Sequence, residues 1–240
     1  MPVPGIILAS SSPRRQALIG ELGVPVELCP ADVPEEPLPG EQPDETAVRL
    51  ALTKAKATAH RKCGGVGVVV AADTVVADQS RIFGKPSDPV EARSMLGQLR
   101  GREHRVITGL ALVDLTTGRT DVRRVTTRVR LRDYSDREIE EYARSGKPLD
   151  KAGSYGIQDA ELDPVREIDG CYLNVVGLPL CAVVESLRSL GHTLPEKAYA
   201  YHRGKGQSIP RIQSPGPTIR PGQRPQLCPL CRRHPKQTTR

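Results

Sequence analysis

The chain has 240 residues, 38% of them apolar and 26% charged, which suits a protein with a core of its own. It holds no Trp and one Phe, so the core must come from Val, Leu, Ile and Ala, and a surface that stacks nucleic-acid bases on aromatic rings is disfavoured. The formal charge of +7 is local: Lys197 to Arg240 carries ten Lys or Arg and no acid, while the first 196 residues hold 25 bases against 28 acids.

Ile6 to Ala9 reads as a short buried strand. Ser10 to Ser12 and Pro13 then open a helix over Arg14 to Leu22, since Ser caps a helix and Pro suits its first turn. Gly23 stops it, and Val24 to Leu28 is the next strand. Thr46 to His60 has Val48, Leu50, Ala51, Ala55 and Ala59 at helical spacing. Val66 to Val76 is apolar and β-branched, a central strand interrupted by Asp73 and Thr74. A helix with an Asp cap follows over Asp88 to Leu99. Val106 to Leu115 and Thr120 to Leu131 pair around Thr117-Gly118. Ser135 to Arg144 is a capped helix, and Gly177 to Leu190 the last one. Strands alternating with helices, with a hairpin inserted, predict a mixed α/β fold. Beyond about residue 195 the chain is rich in Pro, Gly, Gln and Arg, which predicts a domain over 1–195 and a disordered basic tail over 196–240. No apolar run is long enough for a bilayer, no signal peptide is read, and six scattered Cys do not form a disulfide framework. The expected location is therefore the cytoplasm.

Five stretches carry candidate chemistry. Ser10-Ser11-Ser12-Pro13-Arg14-Arg15 joins hydroxyls, guanidinium groups and a helix start, an anion site or simply a capped helix with two solvated arginines. Asp73, in Ala71-Ala72-Asp73-Thr74, is an acid where a packed strand wants an apolar residue; that is costly without a partner and suits a metal ligand or a base for water. Lys85 in Phe83-Gly84-Lys85-Pro86 is, alone, a surface lysine in a turn. Asp150-Lys151-Ala152-Gly153-Ser154-Tyr155-Gly156-Ile157-Gln158 sets opposite charges side by side in a Gly-punctuated loop. Asn174, in Gly170-Cys171-Tyr172-Leu173-Asn174-Val175-Val176-Gly177-Leu178-Pro179, stands before a helix start, where a plain strand–turn–helix junction is the commoner reading. In the tail, Cys228, Cys231 and His234 have the spacing of half a zinc site, against a competing reading in which the Cys pair is incidental.

Taken in order, Ser-x-Ser-Pro-Arg-Arg, Ala-Asp-Thr, Gly-Lys-Pro, Asp-Lys-Ala-Gly-x-Tyr-Gly-Ile-Gln and Asn-Val-x-Gly-Leu-Pro resemble the Maf family of nucleoside triphosphate pyrophosphatases over about residues 5–192. The resemblance implies a mixed sheet in a two-lobed fold with a central cleft, similar to the inosine triphosphate pyrophosphatases. It implies Asp73 as proton acceptor, with Lys54 and Lys85 as catalytic cations. Ser10, Ser12, Arg14, Arg15, Thr74, Lys151, Gln158 and Asn174 would bind substrate. Glu36 would join Asp73 in holding a divalent Mg²⁺ or Mn²⁺. Arg14, Thr74 and Gln158 match the members selective for dTTP and UTP and differ from those selective for 7-methyl-GTP. A glutamine amide offers both a donor and an acceptor to the imide edge of a pyrimidine.

The implied activity is hydrolysis of dTTP and UTP, or of modified pyrimidine nucleotides, to monophosphate and diphosphate. It would keep modified nucleotides out of nucleic acid, with a further role in cell-division arrest. Two alternatives stay open: a purine-type house-cleaning pyrophosphatase and a nucleotide-binding regulator of septum formation. The expected partner is the nucleotide substrate, with no membrane and no nucleic acid; a homodimer is left open.

Overall fold

The computed structural model describes residues 1–62, 65–195 and 198. With the exception of Ala198, the expected tail over 196–240 lies outside the described residues, and so do Cys228, Cys231 and His234. Strand β1 (Ile6–Leu8) leads to α1 (Pro13–Gly20), β2 (Val26–Leu28), α2 (Pro43–Arg61), β3 (Val68–Asp78), β4 (Arg81–Phe83) and α3 (Pro89–Leu99). Then come β5 (Glu103–Asp114), β6 (Thr120–Leu131), α4 (Asp136–Arg144), β7 (Val165–Asp169), α5 (Tyr172–Val176) and α6 (Leu180–Ser189), with short 3₁₀ turns at Lys147–Asp150 and Ala152–Ser154.

The seven strands form one mixed sheet in the order β2-β1-β3-β5-β6-β7, with β4 paired to β3. Strand β1 is parallel to both β2 and β3, while β3–β4 and β6–β7 are antiparallel. This is the mixed α/β class expected from the sequence. A strand flanked on both sides has no exposed edge, which is why β1 can be entirely apolar and buried. Asp73 and Thr74 do not interrupt β3, which runs two residues past the predicted end to close on β4. Strands β4 and β7 and helix α5 were not predicted: each has three to five residues, too few for a period to show.

Helix starts follow local chemistry. Pro13 occupies the first turn of α1, as predicted. Helix α1 stops two residues before Leu22, because Glu21 and Leu22 close onto Leu18 and Ile19 in a tighter turn. Helix α2 begins three residues before Thr46, since Gln42 and Glu45 form a reciprocal capping box with Pro43 between them. Asp88 caps α3 by accepting from the Glu91 N–H at 2.8 Å, and Ser135 with Glu138 caps α4.

The chain divides into two compact units. One comprises Met1–Thr74, Ile107–Val125 and the segment from Gly177; the other comprises Val75–Val106 and Thr126–Val176. In the first, Ile7, Ala9, Val69, Ala71, Ala111 and Val113 pack against Ala51 and Ala55 of α2. Small residues bring α2 close to the sheet. At Gly109 an added Cβ would stand 2.1 Å from the Ala47 carbonyl oxygen, so no larger residue fits beneath the helix. In the second unit, the buried Tyr134 donates to the Leu96 carbonyl at 3.1 Å and ties the start of α4 to α3. Among the described residues, no helix is long and apolar enough to cross a membrane.

Candidate active site

In the first unit the turn from β1 into α1 delivers an anchored arginine. Arg15 donates from Nε to the Gly177 carbonyl at 2.9 Å, from Nη2 to Thr74 Oγ1 at 3.1 Å and from Nη1 to Ser10 Oγ at 3.4 Å. Ser10 is buried at the end of β1 and also accepts from the Ser12 N–H at 3.2 Å. Gly177 has φ +122°, a backbone conformation that calls for glycine, and a Cβ there would stand in ordinary contact with Arg15 Nε at 3.7 Å. Burial pulls the Arg15 guanidinium below its ordinary value, a shift opposed by the charges of Asp73 and Glu35 and reinforced by Arg14. A guanidinium carries more N–H donors than the three used here, so Arg15 is held in place with capacity left for an anion.

Beside it lies an ion cluster. Asp73 on β3 is 7% exposed and Lys54 on α2 is 6% exposed, and Lys54 Nζ donates to Asp73 Oδ1 at 2.6 Å. Lys54 lies on the face of α2 that buries Ala47, Leu50, Ala51, Ala55 and Thr58, which is why the helix carries a cation inward. A buried ammonium without a carboxylate would be costly. A second carboxylate, Glu35 Oε1, stands 2.5 Å from the same Nζ, with its side chain half exposed. The acid that meets Lys54 is thus Glu35, whereas Glu36 is exposed and contributes only its carbonyl, which accepts from Arg49 Nη2 at 3.0 Å. Nothing in the local pattern of this Pro-rich loop separates two adjacent glutamates.

The loop is itself pinned. Glu41 accepts from Arg49 at 2.5 and 2.8 Å, from the Leu38 N–H at 3.0 Å and from Thr46 Oγ1 at 3.0 Å. The Arg49 hydrogen bonds lead in lowering its pKa to about 2, with Leu38 and Thr46 adding and burial opposing.

The remaining expected residues belong to the second unit, except Ser12 at the start of α1 and Arg14 on it, both half-buried. Lys85 is exposed in the turn after β4. Lys151 donates to Asp150 Oδ1 at 2.6 Å and to the Lys147 carbonyl. Gln158 is half-buried and hydrogen-bonds the Tyr172 hydroxyl, whose pKa is raised by burial against that bond. Asn174 is fully buried: its Nδ2 donates to the Val106 carbonyl and to Thr127 Oγ1, both at 3.0 Å. The loop carrying Lys151 and Gln158 turns at Gly153, φ +69°, where a Cβ would meet Val76 at 2.9 Å. It is held by Tyr155, whose hydroxyl lies 2.7 Å from His104 Nε2. Burial lowers the His104 pKa to about 4, so the ring is neutral at pH 7. The sequence reading singled out neither His104 nor Thr108, which lies 2.8 Å from Thr74 between hydroxyl oxygens. Thr108 is a polar residue in an apolar run, a milder form of the signal that marked Asp73, whereas His104 stands between Glu103 and Arg105 and carries no such mark.

The structure therefore gathers Ser10, Arg15 and Thr74 in one network, with Asp73 and Lys54 in another, and it adds Glu35. Comparison with known proteins places the chain. Residues 5–190 match the family described as Maf-like protein. The dTTP/UTP pyrophosphatase of Syntrophotalea carbinolica is 46% identical over 187 residues, covering 78% of this chain and 85% of that protein. The dTTP/UTP pyrophosphatase of Geobacter sulfurreducens is 48% identical over 186 residues, covering 78% of this chain and 96% of that one. Among solved structures, the Staphylococcus aureus Ham1 protein overlays with a TM-score of 0.40 at 16% identity, over 54% of this chain and 72% of that one. Matched over most of its length by that family and at nearly half identity by these relatives, the chain belongs to the Maf family.

Proposed function

We propose that this protein is a nucleoside triphosphate pyrophosphatase that hydrolyses dTTP and UTP to the monophosphate and diphosphate. The observation that carries this reading is the buried Lys54–Asp73 pair, with Glu35 on the same ammonium, in a chain whose relatives bear that activity in their names. Asp73 takes the proton of the attacking water as oxygen bonds to the α-phosphorus. The bond to the bridging oxygen of the β-phosphate breaks, and pyrophosphate leaves with that electron pair. Arg15 and Ser10 receive phosphate oxygens, and the hydrogen bond from Lys54 fixes the direction of the Asp73 carboxylate. Ser12 and Arg14 stand at the start of α1 beside Arg15, while Lys85 and Lys151 are substrate-binding candidates on their sequence motifs alone. Asn174, buried with its amide nitrogen engaged by the Val106 carbonyl and Thr127 Oγ1, supports the backbone of the second unit.

Asp73 Oδ1 and Glu35 Oε1, at 2.6 and 2.5 Å from Lys54 Nζ, are hard oxygen donors of the type a divalent cation takes, though among the described residues no group of three or more His, Cys, Asp or Glu forms a fuller metal site. Asp73 and Glu35 would hold Mg²⁺ or Mn²⁺, with water and phosphate oxygens completing the shell; bound there, the ion supplies charge neutralisation on the phosphoryl oxygens. Thr74, Arg14 and Gln158 are the proposed selectivity residues. Gln158 is the one proposed to meet the base, because an amide that hydrogen-bonds a pyrimidine edge is left unpaired against a purine.

The test is pyrophosphate release across dTTP, UTP, CTP, GTP, ATP, ITP and 7-methyl-GTP with Mg²⁺ or Mn²⁺. The expected result is kcat/KM for dTTP and UTP at least tenfold above the purines, about 1.4 kcal/mol in discrimination. A flat profile, or ITP or 7-methyl-GTP as the best substrate, overturns the reading.

A further inference from the structure

Thr108 lies on β5, is 0% exposed and is not among the residues assigned above to substrate, metal or proton transfer. Its Oγ1 is 2.8 Å from Thr74 Oγ1, the one side-chain hydrogen bond it makes among the described residues. Either hydroxyl can be the donor in that bond, and the complete burial of Thr108 favours Thr108 as the one that donates. A buried hydroxyl must place its proton on an acceptor or forfeit its desolvation cost, and Thr74 Oγ1 is the acceptor in reach. Thr74 Oγ1 accepts from Arg15 Nη2 as well, at 3.1 Å. With both lone-pair positions of the Thr74 oxygen occupied, its own proton is free to donate elsewhere. The protein acceptor nearest to hand, the Gly177 carbonyl, stands at 3.5 Å, the outer limit of a hydrogen bond, and already receives Arg15 Nε at 2.9 Å. Thr74 is half-buried, next in sequence to Asp73, and joined to the arginine read as a phosphate ligand.

We propose that Thr108 is a positioning residue that donates to Thr74, polarising that hydroxyl so that it donates to a phosphate oxygen of the nucleotide while its oxygen holds Arg15 in register. This rests on the proposed pyrophosphatase reading and deepens it by giving the site a donor chain, Thr108 to Thr74 to phosphate, in parallel with Arg15. A hydroxyl that already accepts two hydrogen bonds is a better donor, because chained hydrogen bonds reinforce one another. Without Thr108, the Thr74 oxygen loses one of the two bonds that orient it, and the direction of its proton is no longer set.

The experiment combines Thr108→Val, Thr108→Ser, Thr74→Val and the Thr108→Val/Thr74→Val double variant. Two readouts are used: steady-state kinetics with dTTP, and calorimetric binding of inorganic tripolyphosphate, which needs no turnover. Thr108→Val is expected to raise KM about tenfold and weaken tripolyphosphate by a similar factor, while kcat stays within about twofold, the signature of lost binding shared by ground and transition states. Thr108→Ser, which restores the hydroxyl, recovers most of the loss. In the Thr74→Val background, Thr108→Val adds nothing, because it acts through Thr74. Additive losses in the double variant, or Thr108→Val with wild-type KM and tripolyphosphate affinity, overturn the proposal. A wild-type protein that binds tripolyphosphate with the expected coupling, yet releases no pyrophosphate from any nucleotide, overturns the catalytic reading and leaves the donor chain standing. A Thr108→Val variant that melts early while Thr108→Ser binds weakly at full stability also counts against it, since the hydroxyl would then not be what matters.

Discussion

At the residue scale, Asp73 and Lys54 carry opposite charges into nearly complete burial, and each offsets the cost of burying the other. Asp73→Asn keeps the shape of the side chain and removes its charge and basicity. Turnover of dTTP is expected to fall by about a hundredfold or more, the usual weight of a general base. Lys54 keeps Glu35 as a counter-ion in the variant, so the fold is expected to persist. Pyrophosphate release together with a thermal melt checks both halves. A folded Asp73→Asn protein with near-wild-type turnover removes Asp73 from the mechanism. Glu35→Gln and Glu36→Gln, measured alongside, are expected to differ, with the larger loss at Glu35, because only that carboxylate reaches Lys54.

At the scale of the element, the segment from Leu38 to the first turns of α2 owes its shape to one carboxylate. Glu41 gathers Arg49, Leu38 and Thr46, and its pKa falls to about 2 from an ordinary 4.5. Because the folded value is depressed, the stabilisation is present above about pH 4.5 and is lost as pH falls from 4.5 towards 2. Glu41→Gln is expected to lower stability by ~1–2 kcal/mol at pH 7, the scale of a charged hydrogen bond partly screened by solvent. The gap between wild type and variant should close as the pH drops below 4.5. Urea midpoints at pH 7 and pH 3 measure this, and a gap independent of pH would mean that Glu41 acts through packing. The same loop carries Glu35, so the variant should also raise the metal concentration needed for half-maximal activity.

For the whole molecule, the two compact units are not consecutive stretches of chain, because β3, β5 and β6 each have residues in both. Cutting the chain at a unit boundary would sever strands, so neither unit is a natural fragment. The C-terminal end is different. The family match stops at residue 190 and the sequence-based motifs by Pro179, whereas residues 204–240 are rich in Pro and Arg and carry no apolar period. Truncation after Arg203 is expected to leave kcat and KM for dTTP within about twofold at physiological salt, where long-range attraction by a basic segment is screened. A collapse of kcat on truncation would assign the segment a part in the site.

The sequence by itself determined the class of fold and the kinds of groups in the site. Apolar periods are set by backbone geometry, so the long helices and strands could be read within a few residues, and Asp73 stood out because an acid in an apolar strand demands a partner. Strands β4 and β7 stayed hidden, since three and five residues paired by register leave no local mark. Tertiary structure alone decided which partner each charge found. Lys54 and Asp73 are 19 residues apart, and Arg15 meets Gly177 across 162, pairings that sequence spacing does not specify. The same holds for Glu35 over Glu36 and for Thr108 beneath Thr74: a carboxylate or hydroxyl is chemically identical at either position, and only the packing of β3, β5 and α2 determines which atoms come within hydrogen-bond reach.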